Sequence, residues 1–398
     1  MLISTKSCAE LQKRLHKGRG DIFCRGLFLS ARWIVLSGVV RKGVHFIILP
    51  NIEAAEYCTS DLYNFVDGDR VFFLPESGRN VERSNYKSSL AVQRTAAISS
   101  INSGEDDLKL IVSYPEAIAE KVPSVKEISD SIMSIRKGDE ISHEKIVAAL
   151  SAGGFERVDF VSAPGQYAIR GSLVDIFSYS NNYPYRISFW GDEVEKINSF
   201  DCNTQLSTGE EDNIEIVSDV MSSGSEDGQC ILEMLPEGSV LWLDSSDMYS
   251  GQEFFQFAGN FRKVYIDIPL GSQADDAVAF NISPQPSFNK NFELLTEDIR
   301  GRIEGGYKVM IFGDKVSQLD RIQSILSQNG GLMPEFVKGK NIHNGFIDSE
   351  DKVCCYTDHE IFDRFQRVSL RRTVEKSEQL TINDLNSFNI GDYVVHID

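Results

Sequence analysis

Residues 168–177 read Ala-Ile-Arg-Gly-Ser-Leu-Val-Asp-Ile-Phe, and residues 184–193 read Pro-Tyr-Arg-Ile-Ser-Phe-Trp-Gly-Asp-Glu. Side chains alternate faces along a strand. In the second segment Tyr185, Ile187 and Phe189 therefore share one face and form candidate core, while Arg186, Ser188 and Trp190 share the other. Arg170 starts the preceding strand, and the Ser/Asn/Tyr-rich residues 178–183 suit a hairpin loop. A hairpin brings Arg170 and Arg186 near each other, although the sequence alone leaves the register open. Arg and Trp dominate interface hot spots because each combines a large contact area with a polar handle. The competing reading is a solvated sheet face whose arginines keep an edge soluble. Asp175, Asp192 and Glu193 read as strand-end and turn residues, since adjacent carboxylates on a strand point to opposite faces and share no acid–base work.

Outward from this segment the style of the chain changes twice. Residues 6–17 read as an amphipathic helix. Residues 21–122 alternate candidate strands (22–27, 44–49, 70–73, 108–112) with candidate helices (31–41, 53–65, 89–99, 115–120), which implies a parallel sheet covered on both faces. Residues 123–205 carry one helix, 142–150, with Ser142 as N-cap, among short strands, and form an α+β module inserted into the α/β domain. The α/β signals resume at 206–285 with strands 239–243 and 263–268. A small α/β unit follows at 286–368, with helices 292–303 and 316–328 and strands 308–312 and 353–356. Asn329-Gly330-Gly331 stops its second helix. Residues 221–228 read as a loop, residues 371–389 as linker, and residues 388–398 as the first strand of a domain cut short; the last unit is thus 369–398. The expected fold class is α/β multidomain: a discontinuous α/β domain (1–122 and 206–285), an inserted α+β module and a small α/β domain.

The 398 residues carry a net charge of −19, with 41% hydrophobic and 25% charged residues. That balance suits a soluble globular chain and argues against broad DNA affinity, which needs a positive footprint. A local arginine patch on an acidic body still suits a protein partner. The seven cysteines lack C-x-x-C spacing, so neither a disulfide framework nor a zinc site is expected. The chain shows no signal peptide and no apolar run of about 18 residues, so no membrane span and a cytoplasmic location are expected.

Three motifs bear on chemistry. The first is Gly26-Leu27-Phe28-Leu29-Ser30-Ala31-Arg32-Trp33, placed between a strand and a helix as a phosphate loop would be. A working loop needs glycines for backbone approach to phosphate, a lysine, and a Ser/Thr for magnesium. Here Leu29 and Ala31 stand at the later glycine positions, Arg32 at the lysine and Trp33 at the Ser/Thr, so no ATP hydrolysis is expected. The second is Asp358-His359-Glu360 beside Cys354 and Cys355, where a nucleophilic site competes with a helix start capped by Asp358; the latter is preferred. The third, the six scattered histidines, forms no metal-ligand set. Trp242 reads as core.

Residues 165–207 resemble the UvrA-binding module shared by UvrB and the transcription-repair coupling factor (Mfd) family. The loop at 26–33 and Val112-Ser113-Tyr114-Pro115-Glu116-Ala117 resemble that family's degenerate UvrB-like first domain. Residues 356–362 with 364–372 resemble the end of its third, non-catalytic domain. Ile390 to Asp398 resembles the opening strand of its RNA-polymerase-interacting domain. No segment before residue 123 matches UvrB's DNA-clamping hairpin. The resemblance implies that Arg170 of the R-G-x-x-x-D-[IL]-F motif, Arg186 of P-x-R and the aromatic four residues later, Trp190, contact UvrA. Trp190 departs from the usual Phe, Ser178 replaces a common proline, and residues 206–285 look shorter than their counterpart. It further implies a monomeric, non-motor region that needs no cofactor and makes weak or no DNA contact. ATP, magnesium, RNA polymerase and the translocase activity belong to domains absent from this chain. The alternatives are a UvrB- or helicase-type nucleotide-binding enzyme and a generic α/β interaction scaffold.

Overall fold

The structure is a computed structural model that describes residues 5–18, 20–77, 84–101, 107–130, 132–179, 181, 183–202, 204–219, 228–266, 268, 276–328, 333–364 and 366. The expected strand at 388–398, the linker at 371–389, the helix stop at 329–331 and all but the last residue of the loop at 221–228 lie outside them.

The largest sheet has seven strands, in the order Val278–Ala279, Ile22–Arg25, Arg262–Ile266, Val240–Asp244, Val44–Ile48, Lys109–Ser113 and Val71–Phe73. Every pairing in it is parallel. Val44–Ile48 and Lys109–Ser113 are buried at all five positions, as strands with helices on both faces must be. Helices Ala31–Val39 and Ile52–Tyr63 follow their strands, the second capped by Asn51, whose side chain accepts from the Ala54 N–H at 2.9 Å. Helix Lys6–Lys17 is capped by Thr5 in the same way. Trp242 is core, its indole N–H donating to His45 Nδ1 at 3.1 Å. Burial pushes the His45 pKa down to about 4, because the charged ring would lose its water.

The inserted module is built on a six-stranded sheet that contains the expected hairpin, Leu173–Phe177 with Tyr185–Trp190. Its order is Ser207–Glu211, Glu193–Phe200, Tyr185–Trp190, Leu173–Phe177, Gln166–Arg170 and Glu156–Arg157, antiparallel except for the last pair. One face (Tyr167, Val174, Ile176, Ile187, Phe189) packs on Ile146 and Leu150 of helix His143–Ala152. Ser142 caps that helix, as its sequence position suggests. A separate ribbon pairs Ile132–Arg136 with Asn213–Val217. The sheet and ribbon therefore carry the module past the expected end at 205, to Val217. The partner of Asn213–Val217 is distant in sequence, so local pattern holds no sign of it.

The third unit is a five-stranded sheet in the order Ile282–Pro284, Phe346–Asp348, Val353–Thr357, Lys308–Gly313, Glu335–Lys338, with helices Phe292–Glu304 and Val316–Gln328. Ile282–Pro284 pairs antiparallel with Phe346–Asp348, so this unit begins before 285. One apolar cluster runs from Leu27 and Trp33 of the first domain into Phe312, Ile342, Phe346 and Cys355 of the third unit. Among the described residues no helix is long and apolar enough to cross a membrane.

The turn after Ile22–Arg25 makes a checkable demand on glycine. Gly26 has φ +70°, and a Cβ there would lie 2.4 Å from the Phe280 carbonyl oxygen. Gly43 has φ +81° but open space around it. Gly26→Ala should cost about 3 kcal/mol and Gly43→Ala about 1 kcal/mol in urea denaturation. Equal costs would show that the contact with Phe280 does not constrain the turn.

Candidate functional site

The hairpin register sets Asp175 opposite Arg186 and Leu173 opposite Ser188. Asp175 is wholly buried, which a carboxylate tolerates only with cationic or hydrogen-bonding partners. Both arginines supply them. Arg186 grips it bidentately, Nε to Oδ1 at 2.8 Å and a terminal nitrogen to Oδ2 at 2.9 Å, and Arg170 donates to the same Oδ2. The Asp175 carboxylate holds the Arg186 guanidinium above its ordinary pKa. Two guanidiniums against one carboxylate leave one positive charge in excess within the clamp.

Aromatic rings flank both cations. The Arg186 guanidinium lies 4.5 Å from the Phe200 ring centroid, and that of Arg170 lies 5.0 Å from Phe160. Trp190 stands on the same face, about 13 Å along the strand from Arg186 at about 3.3 Å per residue, and is 78% exposed. The structure brings Arg170 and Arg186 together and sets Trp190 further along, but Arg170 ends strand Gln166–Arg170 instead of starting the hairpin strand Leu173–Phe177, so the two arginines reach Asp175 from either side of it. Asp175 corrects the expectation of a strand-end residue: it sits mid-strand and organises the face. The available signal was a lone acid inside the apolar run Leu-Val-Asp-Ile-Phe, which demands a buried partner.

The loop at Gly26, Leu29, Ser30, Ala31, Arg32 and Trp33 is closed. Leu29 is held at φ +56°. Arg32 is ion-paired to Asp244, its guanidinium 4.7 Å from the Trp33 ring, and Trp33 is buried. Ala31 is buried too. Ser30 Oγ accepts the Asn344 N–H at 2.8 Å, and the His343 N–H donates to Asp61 Oδ1 at 2.8 Å. The His343 ring stacks on Tyr57 at 3.3 Å, and Asn64 donates to the Asn341 carbonyl at 2.6 Å. Residues 341–344 of the third unit therefore cover the loop. Burial pushes Asp61 up to about 7, and the hydrogen bonds from Ser30 and His343 only partly oppose it.

Around Asp358, the cap of helix Asp358–Ile361 is Thr357, whose side chain accepts from the Glu360 N–H, and Asp358 is the first helical residue. Cys354 and Cys355 are buried; desolvation raises Cys354 to about 11 and Cys355 well above the ordinary thiol value. Both therefore stay thiols, the unreactive form. The described residues hold no cluster of three or more potential metal ligands.

Residues 133–220 match the family model of the UvrB interaction domain, and that span coincides with the module. The chain is 31% identical over 196 residues to the transcription-repair-coupling factor of Bacillus subtilis, covering 48% of this chain and 16% of that protein. An alignment to the Staphylococcus haemolyticus transcription-repair-coupling factor covers 96% of this chain and 41% of that protein at 18% identity. The UvrABC system protein B of Streptococcus suis is 30% identical over 166 residues, 41% of this chain and 24% of that protein. The chain thus spans less than half the length of each of these relatives.

Two outcomes test the site. Asp175→Ala should lower stability by about 2–3 kcal/mol in urea denaturation, below the full cost of breaking a buried pair because both arginines keep some access to water; a loss under about 0.5 kcal/mol would contradict the clamp. The folded Asp61 pKa lies above its unfolded value, so its contribution is present below about pH 4 and is lost as pH rises towards about 7. Asp61→Asn should therefore shrink the fall in thermal stability between those pH values. An unchanged fall would show that Asp61 is ionised throughout.

Proposed function

From a chain that carries a UvrB interaction domain and is related to the N-terminal region of the transcription-repair-coupling factors, we propose that the module docks UvrA and so recruits nucleotide excision repair. The observation that carries this reading is the outer sheet face, where Arg170 and Arg186 are held on a buried Asp175 and Trp190 stands exposed further along the same strand as Arg186. Held side chains lose little entropy on binding, and the excess positive charge suits an acidic patch on a protein. The acidic body, net −19, disfavours DNA as the partner.

The wider setting is part of the same proposal. In a longer protein of this kind, recognition of stalled RNA polymerase and its ATP-driven displacement fall to other domains, and this chain supplies the docking surface, acting as a cytoplasmic monomer. The first domain is read as a UvrB-like nucleotide domain that has lost its site, without ATP, magnesium or hydrolytic activity. Supporting that reading, Arg32 is tied to Asp244, Trp33 is in the core and Ser30 is engaged by Asn344.

Calorimetric titration with UvrA from the same source tests the proposal. Arg186→Ala and Trp190→Ala should each weaken binding by about tenfold or more, a loss of roughly 1.4 kcal/mol. No binding by the folded wild-type chain, or unchanged binding by both variants, would overturn it.

A further inference from the structure

The described surface exposes nine large hydrophobic side chains, and four of them, Phe160, Tyr183, Trp190 and Leu206, belong to the inserted module. Two of these four flank the arginine clamp. Phe160 is 62% exposed and lies against the Arg170 guanidinium. Leu206 is 68% exposed and follows Gln205, whose carbonyl accepts from Arg186 at 3.1 Å. Each apolar group thus adjoins one arm of the clamp.

The loops that carry them are built rather than slack. Gln205 holds φ +58°, and its side-chain amide donates to the Val161 carbonyl at 3.1 Å and the Cys202 carbonyl at 2.8 Å. One side chain therefore staples the Leu206 loop to the Phe160 loop. The Leu206 loop is closed further by Gln205 N–H to Asp201 O at 2.8 Å, Asp201 N–H to Leu206 O at 3.0 Å and Thr204 N–H to Asp201 Oδ1 at 2.8 Å. Beneath both loops Val161, Ala168, Phe177 and Phe200 form a small separate core. That core fixes the loops but leaves Phe160 and Leu206 outside it, in water.

We propose that Phe160 and Leu206 form an apolar rim of the docking face and seat UvrA directly, on either side of the Arg170–Asp175–Arg186 clamp; this rests on the UvrA-docking reading above. The rim is continuous with the proposed interface, because each of its residues adjoins a clamp arginine. The occupying surface is accordingly an acidic group set between apolar ones. The carboxylate meets the excess positive charge, and the apolar groups cover Phe160 and Leu206. Apolar cover excludes water from the central ion pair, which strengthens it, and a rigid rim limits the entropy lost on docking.

The test is calorimetric titration of the full chain with UvrA, using wild type, Phe160→Ala, Leu206→Ala, the double variant, Phe160→Leu, Arg186→Ala and Met248→Ala. Met248 is 70% exposed in the first domain and serves as the control. Circular dichroism and urea denaturation establish that each variant is folded. Each single alanine variant should weaken binding by about fivefold and the double variant by more than about tenfold, with Phe160→Leu recovering most of the loss and Met248→Ala matching wild type. Wild-type affinity in a folded double variant, with Arg186→Ala impaired, would overturn the rim and leave the docking reading standing. No binding by wild type would overturn both.

Discussion

A carboxylate with no access to water must be neutralised, and at Asp175 that requirement governs the module. It draws Arg170, at the end of Gln166–Arg170, and Arg186, two strands away in Tyr185–Trp190, onto the strand between them in a single clamp, which agrees with only one register of the hairpin. Arg186 then reaches the Gln205 carbonyl, and Gln205 ties down the loop at Val161. The outer face owes its shape to these polar connections and to the small core of Val161, Ala168, Phe177 and Phe200, and the inner face to the apolar layer on helix His143–Ala152. The same clamp that stabilises the fold carries the one unbalanced positive charge that the proposed docking would use. On the proposed reading, Arg170 and Arg186 thus serve both the fold and the docking face.

The first domain shows a different outcome of the same economy of polar groups. A strand, a loop and a helix stand where an α/β sheet offers a ligand its backbone N–H groups. In this chain the loop serves as an internal joint. Ser30 and Asp61 receive N–H groups from Asn344 and His343, and a shared apolar cluster continues from Trp33 to Phe346. The third unit is thereby fixed to the sheet through residues that a nucleotide would otherwise contest. This fits the proposed division of labour, in which the region positions a docking surface and leaves ATP-driven work elsewhere.

Legibility followed the range of the interactions. Val44–Ile48 was readable because a fully buried parallel strand is a nearly continuous apolar run, here broken by His45 alone, and Ser142 because a cap is a local bond. The alternation at 185–190 told which residues face out, so Arg186 and Trp190 stood on one face before any coordinates. Asp175 was misread because its partners are decided by register, which the sequence left open. The end of the module at 205 was misplaced because Asn213–Val217 finds its partner in Ile132–Arg136, about eighty residues earlier, and loop closure over such lengths leaves no local trace. The cover that residues 341–344 place over the Ser30 loop was invisible for the same reason.

The central claim is that the outer face of the inserted module is where UvrA sits. Hydrogen–deuterium exchange of this chain, alone and with saturating UvrA, tests it most directly. The account predicts slowed exchange in the loop around Phe160, the turn at Gly171–Ser172, the end of strand Tyr185–Trp190 and the loop before Leu206, with residues 341–344 unchanged. Protection confined to the first domain or the third unit, with the module's outer face exchanging as before, would contradict it.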